Sequence, residues 1–560
     1  MRDHLAEDPD SGLRLMTRLA RRLTTLSERV GGPEPSALTR DALAAASGPR
    51  WLRWLGRLLP GRRRSNAGAM WVVSASRLEQ PLRLVVASLP NDDGDAQRAR
   101  LLAALEPLGG ISVKGVSRAV EVTNEDDPLT ALAQAGRQAR ALLDRENADL
   151  VVWGLVDPAA ALVELHFTGL AQADDDRPGL PHALTWLALP LDFGPEWTPL
   201  VRAITLAAIE PRGEGQASSL LAVLPAAVED ARPLGLEPPA GFGPAEQTAI
   251  LSCYGHACAA LGHLARDTVW SETAVDAYGT ALGLLPPDAD LEWAFLHRSI
   301  GLALQGMGER TDSLDALTRA AEAYRGALDA LPRAEHPRDW AGLQVRLGMV
   351  LYKHALLDGA VESLKEPLQC LQGAMQLFTR AEHPGKWADL MNTISQVLQV
   401  YGDHMRSVAI LERAVDACKQ ALSVRTYEAA PLAWAATQNT LGSALFLLAK
   451  HAQKRAPLED AAEAFRKALG TYRMMSLERA ASVAESNLRR VEDMLKRTTG
   501  PRLLADPAWA ERPGAINSRV DWDPVSAAAR GARRRAEKED LDEDEDEPDK
   551  GDRAAPSPSA

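Results

Sequence analysis

The sequence predicts an α+β multidomain chain, a small α/β domain of β-α-β-α-β-β order followed by an all-α helical solenoid. Three observations predict it. A Trp-Ala pair recurs at Trp293, Trp340, Trp387 and Trp434, each 47 residues after the last. Between residues 80 and 170, short β-rich runs alternate with helical ones. Pro238-Pro239-Ala240-Gly241 separates the two patterns.

The repeat is more than its tryptophans. Eight residues after each Trp comes a small residue (Gly301, Gly348, Ser395, Gly442), and 19 residues later Ala320, Pro367, Ala414 or Ala461. A larger residue follows four positions on (Tyr324, Leu371, Cys418, Phe465), then Ala327, Ala374, Ala421 or Ala468. A small residue on one helix admits close approach of the next, so each unit reads as a helix hairpin. An imperfect earlier copy uses Gly255, Ala274, Tyr278 and Ala281, and a half copy at 476–497 (Asn487, Leu488, Val491, Met494) closes the array. Pro337, Pro384 and Pro431 stand three residues before their Trp, where a residue without an N–H suits the first helical turn. The duplicated Glu335-His336-Pro337 and Glu382-His383-Pro384 triplets are therefore helix-entry turns and not acid-base pairs. Pro367 sits where the other units have alanine, so the second helix of that unit should start late or kink.

Ile300-Gly301, Leu347-Gly348 and Leu441-Gly442, each followed by Ala/Pro-x-x-x-large-x-x-Ala in the next helix, resemble the tetratricopeptide repeat. The spacing is longer than the usual repeat of about 34 residues. The resemblance implies a right-handed superhelix of five helix pairs plus a capping helix over 244–499, with a protein or peptide held in the groove lined by the first helices. Carried onto this chain, the groove positions are Arg298, Gln305, Tyr352, Lys353, Asn392, Gln396, Gln399, Asn439 and Phe446. Amides, one tyrosine and two bases suit an extended peptide backbone. The paired Lys and Asn that clamp a terminal carboxylate in chaperone-binding members have no match.

In the α/β domain, residues 66–215, strands are expected at Leu82–Leu89, Ile111–Val116, Asp149–Val156 and Ala161–Leu170, with helices at Asp95–Leu105 and Pro128–Arg145. A strand at Leu184–Leu191 and a helix at Trp197–Ile209 follow, and a connecting helix in 216–243 is expected to end at Pro233. The Leu82–Leu89 strand and Ala148-Asp149-Leu150-Val151-Val152-Trp153-Gly154 with its hairpin resemble the amino-terminal domain of TolB-like proteins. That likeness implies an accessory or regulatory role. The loop Pro90-Asn91-Asp92-Asp93-Gly94-Asp95 has one glycine and three acids, which a phosphate cradle does not tolerate. Gly241-Phe242-Gly243-Pro244 lacks a third glycine. Asp174-Asp175-Asp176 reads as a solvated turn.

No catalytic motif is present, so no enzyme activity, metal or cofactor is expected. Cys253, His256, Cys258 and His263 share one helix, but His263 lies about 15 Å along the axis from Cys253 and Cys258 points away, so they do not make one zinc site. Buried packing accounts for Cys258 and Cys418.

The net charge is −13, and Glu537–Arg553 alone holds eleven acids and three bases, leaving −5 for the rest of the chain. A near-neutral body excludes a nucleic-acid groove as the main task. Residues 500–560 combine a Pro/Gly/Arg stretch with that acidic run and cannot bury enough apolar area to offset ordering entropy, so a disordered tail is expected. Four cysteines, a mixed-charge start and no long apolar run point to the cytoplasm. The Arg and Ala bias is that of a GC-rich bacterial genome. In the helical segment 1–65, Met16, Leu19, Leu23, Leu26 and Val30 form a stripe that suits docking on the protein itself or a dimer through the 13–30 helix. Trp51, Trp54 and Arg62 lie on an amphipathic stretch that suits packing on the next domain or a membrane surface. Two functions from different classes follow: a non-catalytic scaffold holding a partner in the groove, or a regulator whose α/β domain binds a small effector and whose repeats relay the response.

Overall fold

A computed structural model describes residues 81–497 apart from 107, 123–127, 171–176, 183 and 212. The 13–30 stripe, the 50–64 segment with Trp51, Trp54 and Arg62, the Asp174–Asp176 turn and the 500–560 tail lie outside the described residues. Within them the chain is α+β: a five-stranded mixed sheet comes first and a long run of helices follows.

Strands β1 (Leu82–Ser88), β2 (Ile111–Ala119), β3 (Leu150–Asp157), β4 (Leu162–Gly169) and β5 (Leu187–Pro190) lie in the order β2-β1-β3-β4-β5. The β1 strand pairs in parallel with β2 and β3, whereas β3/β4 and β4/β5 are antiparallel. Parallel neighbours need helical crossovers, supplied by α1 (Ala96–Leu105) and α2 (Pro128–Glu146). The β1 strand is buried on both faces, which is why it reads as an unbroken apolar run. Leu84, Val86, Leu150, Val152 and Leu165 form one face with Leu101 and Leu105 of α1 and with α3 (Thr198–Ala207). Val85, Ala87, Val151 and Trp153 form the other with Leu132, Ala135, Ala139 and Leu142 of α2.

Helix α4 (Glu214–Leu236) packs on α3 and on the first repeat helix. It corrects the expectation that Pro233 ends it, since it runs through both Pro225 and Pro233. Pro233 is exposed, on the side where water can take over the carbonyl that loses its N–H donor.

The helices then come as pairs: α5 (Pro244–Ala265) with α6 (Thr268–Leu284), α7 (Asp290–Thr311) with α8 (Leu314–Ala330), α9 (Pro337–Asp358) with α10 (Lys365–Met375), α11 (Pro384–His404) with α12 (Val408–Leu422), and α13 (Pro431–Ala452) with α14 (Ala456–Met474). Helix α15 (Glu478–Arg497) packs on α14 and ends the described run. Four first helices have 22 residues and α11 has 21, which accounts for the long repeat.

Each pair closes on a contact between a small residue and a larger one. A Cβ added to Gly255 would meet Tyr278 Cε1 at 2.6 Å, one on Gly301 would meet Tyr324 Cε1 at 2.6 Å, and one on Gly442 would meet Phe465 Cε1 at 2.8 Å. At Gly348, facing the smaller Leu371, the nearest approach relaxes to 3.2 Å. In the fourth pair Ser395 replaces the glycine, and its partner shrinks to Cys418, whose thiol donates to Ser395 Oγ at 3.0 Å. Bulk is thus traded across the contact. A second contact of the same kind recurs nearer the hairpin turn, where Gly308 meets Leu317 and Gly402 meets Leu411.

The repeating tryptophans secure the hairpin entries. Arg333 lies over the Trp340 ring at 4.6 Å and Arg380, 47 residues on, over Trp387 at 5.5 Å. Tyr427 packs edge-on against Trp434. After each first helix the turn passes through a left-handed residue in constant register: Arg266, Asp312, Gly359, Arg406 and Gln453. Ser313 and Ser407 then cap α8 and α12 through their hydroxyls. Ala360 stands at that position in the third pair, and Pro367 follows, so a 3-10 turn at Val361–Leu364 precedes a late-starting α10 of 11 residues.

If bulk is conserved across the hairpin contact, Gly442→Ser alone should destabilise the protein by roughly 1–3 kcal/mol, and Phe465→Cys alone by roughly 3–5 kcal/mol. The double variant should lose less than the sum, a favourable coupling readable by urea denaturation. Simple additivity would show that the contact does not set the pair.

Candidate functional site

The groove positions inferred from the repeat sit on α7, α9, α11 and α13 at equivalent places, and the structure puts them in two states. Gln305, Tyr352, Gln399, Asn439 and Phe446 are buried. Arg298, Lys353, Asn392 and Gln396 are half-buried.

Several already hold internal partners. Gln305 donates to Glu309 at 2.8 Å and accepts from the Tyr324 hydroxyl at 2.8 Å. Gln399 donates to Ser395 Oγ at 3.1 Å and to the Thr440 carbonyl at 3.2 Å, tying α11 to α13. Tyr352 donates to the Gln396 carbonyl at 3.4 Å, tying α9 to α11. Lys353 pairs with Asp312 at 2.5 Å, and Arg490 lies over the Phe446 ring at 5.8 Å. Arg298 lies 5.9 Å from the Phe295 ring centroid, and burial pushes its pKa down. Asn392 and Asn439 differ from these. They are 47 residues apart, Asn392 Oδ1 has no hydrogen-bond partner, and neither amide atom of Asn439 has one.

A second concentration of buried polar groups joins the α/β domain to the first helix pair, and sequence reasoning did not find it. Thr185, just before β5, is the hub. Its hydroxyl lies 3.3 Å from His256 Nε2 of α5 and accepts from the His182 backbone N–H at 3.0 Å. Its carbonyl lies 3.2 Å from His166 Nδ1 of β4. His256 Nδ1 is in turn 2.9 Å from the Tyr278 hydroxyl on α6. The His166 ring stacks on Trp153 and the His182 ring on Phe295 of α7. Cys253 gives its thiol to the Trp186 carbonyl at 3.2 Å. Of the four residues weighed for zinc, Cys253 and His256 therefore serve this seam, and Cys258 is buried as a free thiol. Among the described residues no group of three His, Cys, Asp or Glu side chains could hold a metal ion.

Burial controls the charge states here. Desolvation pushes His166 and His182 down to about 4, and His256 well below its ordinary value, so all three are neutral at pH 7. Desolvation, with the nearby carboxylates of Asp157 and Glu246, pushes Glu164 on β4 up to about 7.

The loop after β1 is closed to anions. Both Asp92 carboxylate oxygens accept backbone N–H bonds at 2.9 Å, from Gln97 and from Arg98. Those first-turn donors of α1 would otherwise face a phosphate. Asn91 donates to the Val156 carbonyl at 3.1 Å, across the crevice between β1 and β3.

Fold and site together define an α+β protein with a small mixed sheet and a mostly helical, repeat-like remainder. Among the described residues no helix is long and apolar enough to cross a membrane. No protein-family model matches the chain, and no curated protein matches it. A solved structure, BtubC (BKLC) from P. vanneervenii, is similar over 52% of this chain and 96% of its own, with 17% identity and a TM-score of 0.27. At that score the likeness bears no weight.

The depressed imidazoles stabilise the fold above pH 6.5 and lose that contribution as pH falls towards 4, whereas Glu164 stabilises it below 4.5 and loses its contribution as pH rises through 7. Three imidazoles outweigh one carboxyl, so Tm should fall from pH 7.5 to pH 5. In Glu164→Gln that fall should be larger than in the parent protein, and an unchanged difference would place Glu164 elsewhere. Asn439→Leu removes two buried amide atoms without partners and should stabilise the protein by about 1 kcal/mol or more in urea denaturation.

Proposed function

We propose that the chain is a non-catalytic scaffold of the tetratricopeptide-repeat class, in which the helix pairs wind into a right-handed solenoid and hold a partner protein in the groove lined by their first helices. The bacterial cytoplasm is its proposed setting. The observation that carries this reading is the constant register. Small-to-large contacts, tryptophan entries and left-handed turns all recur at the repeat spacing, which presents equivalent first-helix positions side by side. At one of those positions the half-buried Asn392 keeps an amide oxygen without an internal partner. Such groups suit an extended backbone, whose N–H and carbonyl groups need partners of both kinds.

The half-buried members are the ones a partner reaches. Replacing Lys353, Asn392 and Gln396 together by alanine should abolish capture of the partner by tagged full-length protein from its own cells, while helical circular dichroism stays unchanged. Glu322→Ala with Glu412→Ala, on exposed faces of α8 and α12, should leave capture intact. The same partner recovered with the triple variant would refute the groove.

A further inference from the structure

A cavity of about 200 Å³ lies where the segment entering β5 meets α5, the end of α6 and the first turn of α7. Its walls are mostly apolar, with Leu184 and Trp186 from the α/β domain facing Ala249, Leu285 and Leu296 from the repeats. An engineered apolar cavity of about 150 Å³ takes up benzene. This one therefore has room for a ring or branched chain with a short polar head, on the order of ten non-hydrogen atoms.

Thr185, His182 and Ser252 in the lining hold internal hydrogen bonds, and two further polar features break the apolar wall. Thr248 Oγ1 is buried and has no hydrogen-bond partner, although the Thr248 carbonyl accepts from Ser252 at 2.6 Å. Glu292, in the first turn of α7, brings a half-buried carboxyl group. Desolvation, together with the neighbouring Asp288 and Asp290, makes its ionised form costly. The lining contains no lysine or arginine among the described residues, and its one histidine, His182, is neutral. The wall thus presents a carboxylate and a hydroxyl oxygen to an apolar space, with no cation to answer them. A ligand carboxylate would add repulsion, and a purely apolar ligand would leave the Thr248 hydroxyl unmet and the Glu292 carboxylate without a counter-charge.

We propose that this cavity binds a small organic ammonium with an apolar body, its N–H groups donating to the Glu292 carboxylate and to Thr248 Oγ1. The site is separate from the groove and stands or falls without it. Its walls come from both modules, and one wall carries Thr185, the hub of the seam. An occupant therefore bridges the α/β domain and the first two helix pairs and stabilises their junction by mass action.

The test uses the full chain and three probes of one shape and different charge: 2-phenylethylamine, 2-phenylethanol and phenylacetate. Calorimetric titration should give one 2-phenylethylamine site per chain and a Tm that rises with its concentration. The alcohol should bind about tenfold or more weakly, and phenylacetate should not bind. Glu292→Gln should weaken the amine by about tenfold or more while leaving the alcohol unchanged. Ala249→Phe, which fills the space, should abolish both. Equal binding of amine and phenylacetate would overturn the proposal, as would amine binding that survives Ala249→Phe. So would the absence of amine binding by the folded parent protein up to millimolar concentration.

Discussion

The helical part of the molecule depends on one steric constraint, the closeness with which the two helices of each pair approach where a small side chain on the first faces a larger one on the second. At Gly255, Gly301 and Gly442 the facing ring occupies space that a Cβ would need. Because the small residue sits in constant register, every first helix presents the same face to its neighbours. The Ser395/Cys418 pair shows that the constraint acts on summed volume and not on glycine as such. A hairpin may lose its glycine provided that its partner loses its ring, which is a property of the pair and invisible at either position alone.

The α/β domain is fixed to this array by a different physics. One apolar core runs from β1 through α3, α4 and α5 into the third helix pair without a break. Non-directional burial alone would permit sliding, and the Thr185–His256–Tyr278 chain supplies the direction. Each link lies out of water, where an unmade hydrogen bond is costly, so the two modules have one low-energy registration. Neutral imidazoles suit this task because each offers one donor and one acceptor nitrogen. They serve as connectors only while they remain uncharged.

The repeats were legible because duplication writes packing into spacing. The tryptophans, the small-to-large contact and the late start imposed by Pro367 could all be read at fixed offsets. Pro233 was misread because a proline's effect depends on which side of the helix faces water, and that is set by the packing of α4 and not by the local sequence. The seam was not legible at all. His166, Thr185 and His256 are far apart in the chain, no motif joins them, and only the docking of α5 beside β5 brings them together. For the groove, sequence supplied the register but not the depth. Gln305 and Gln399 place their amides in internal hydrogen bonds, whereas Asn392 and Asn439, of similar chemistry, retain unmet atoms.

The third helix pair explains why the array has two large cores instead of one. The first core ends at Cys370 and the second begins at Ala341, with Trp340 packed against both. Three changes coincide there: Ala360 replaces the capping serine, Pro367 delays α10, and Leu371 replaces the aromatic ring. Each shortens or loosens the second helix, and α10, at 11 residues, is the shortest second helix of the five pairs. In a repeat array stability is approximately a sum over units and their interfaces. A short second helix contributes least to both sums, so the division falls at this pair because less apolar surface is available there to carry one core into the next.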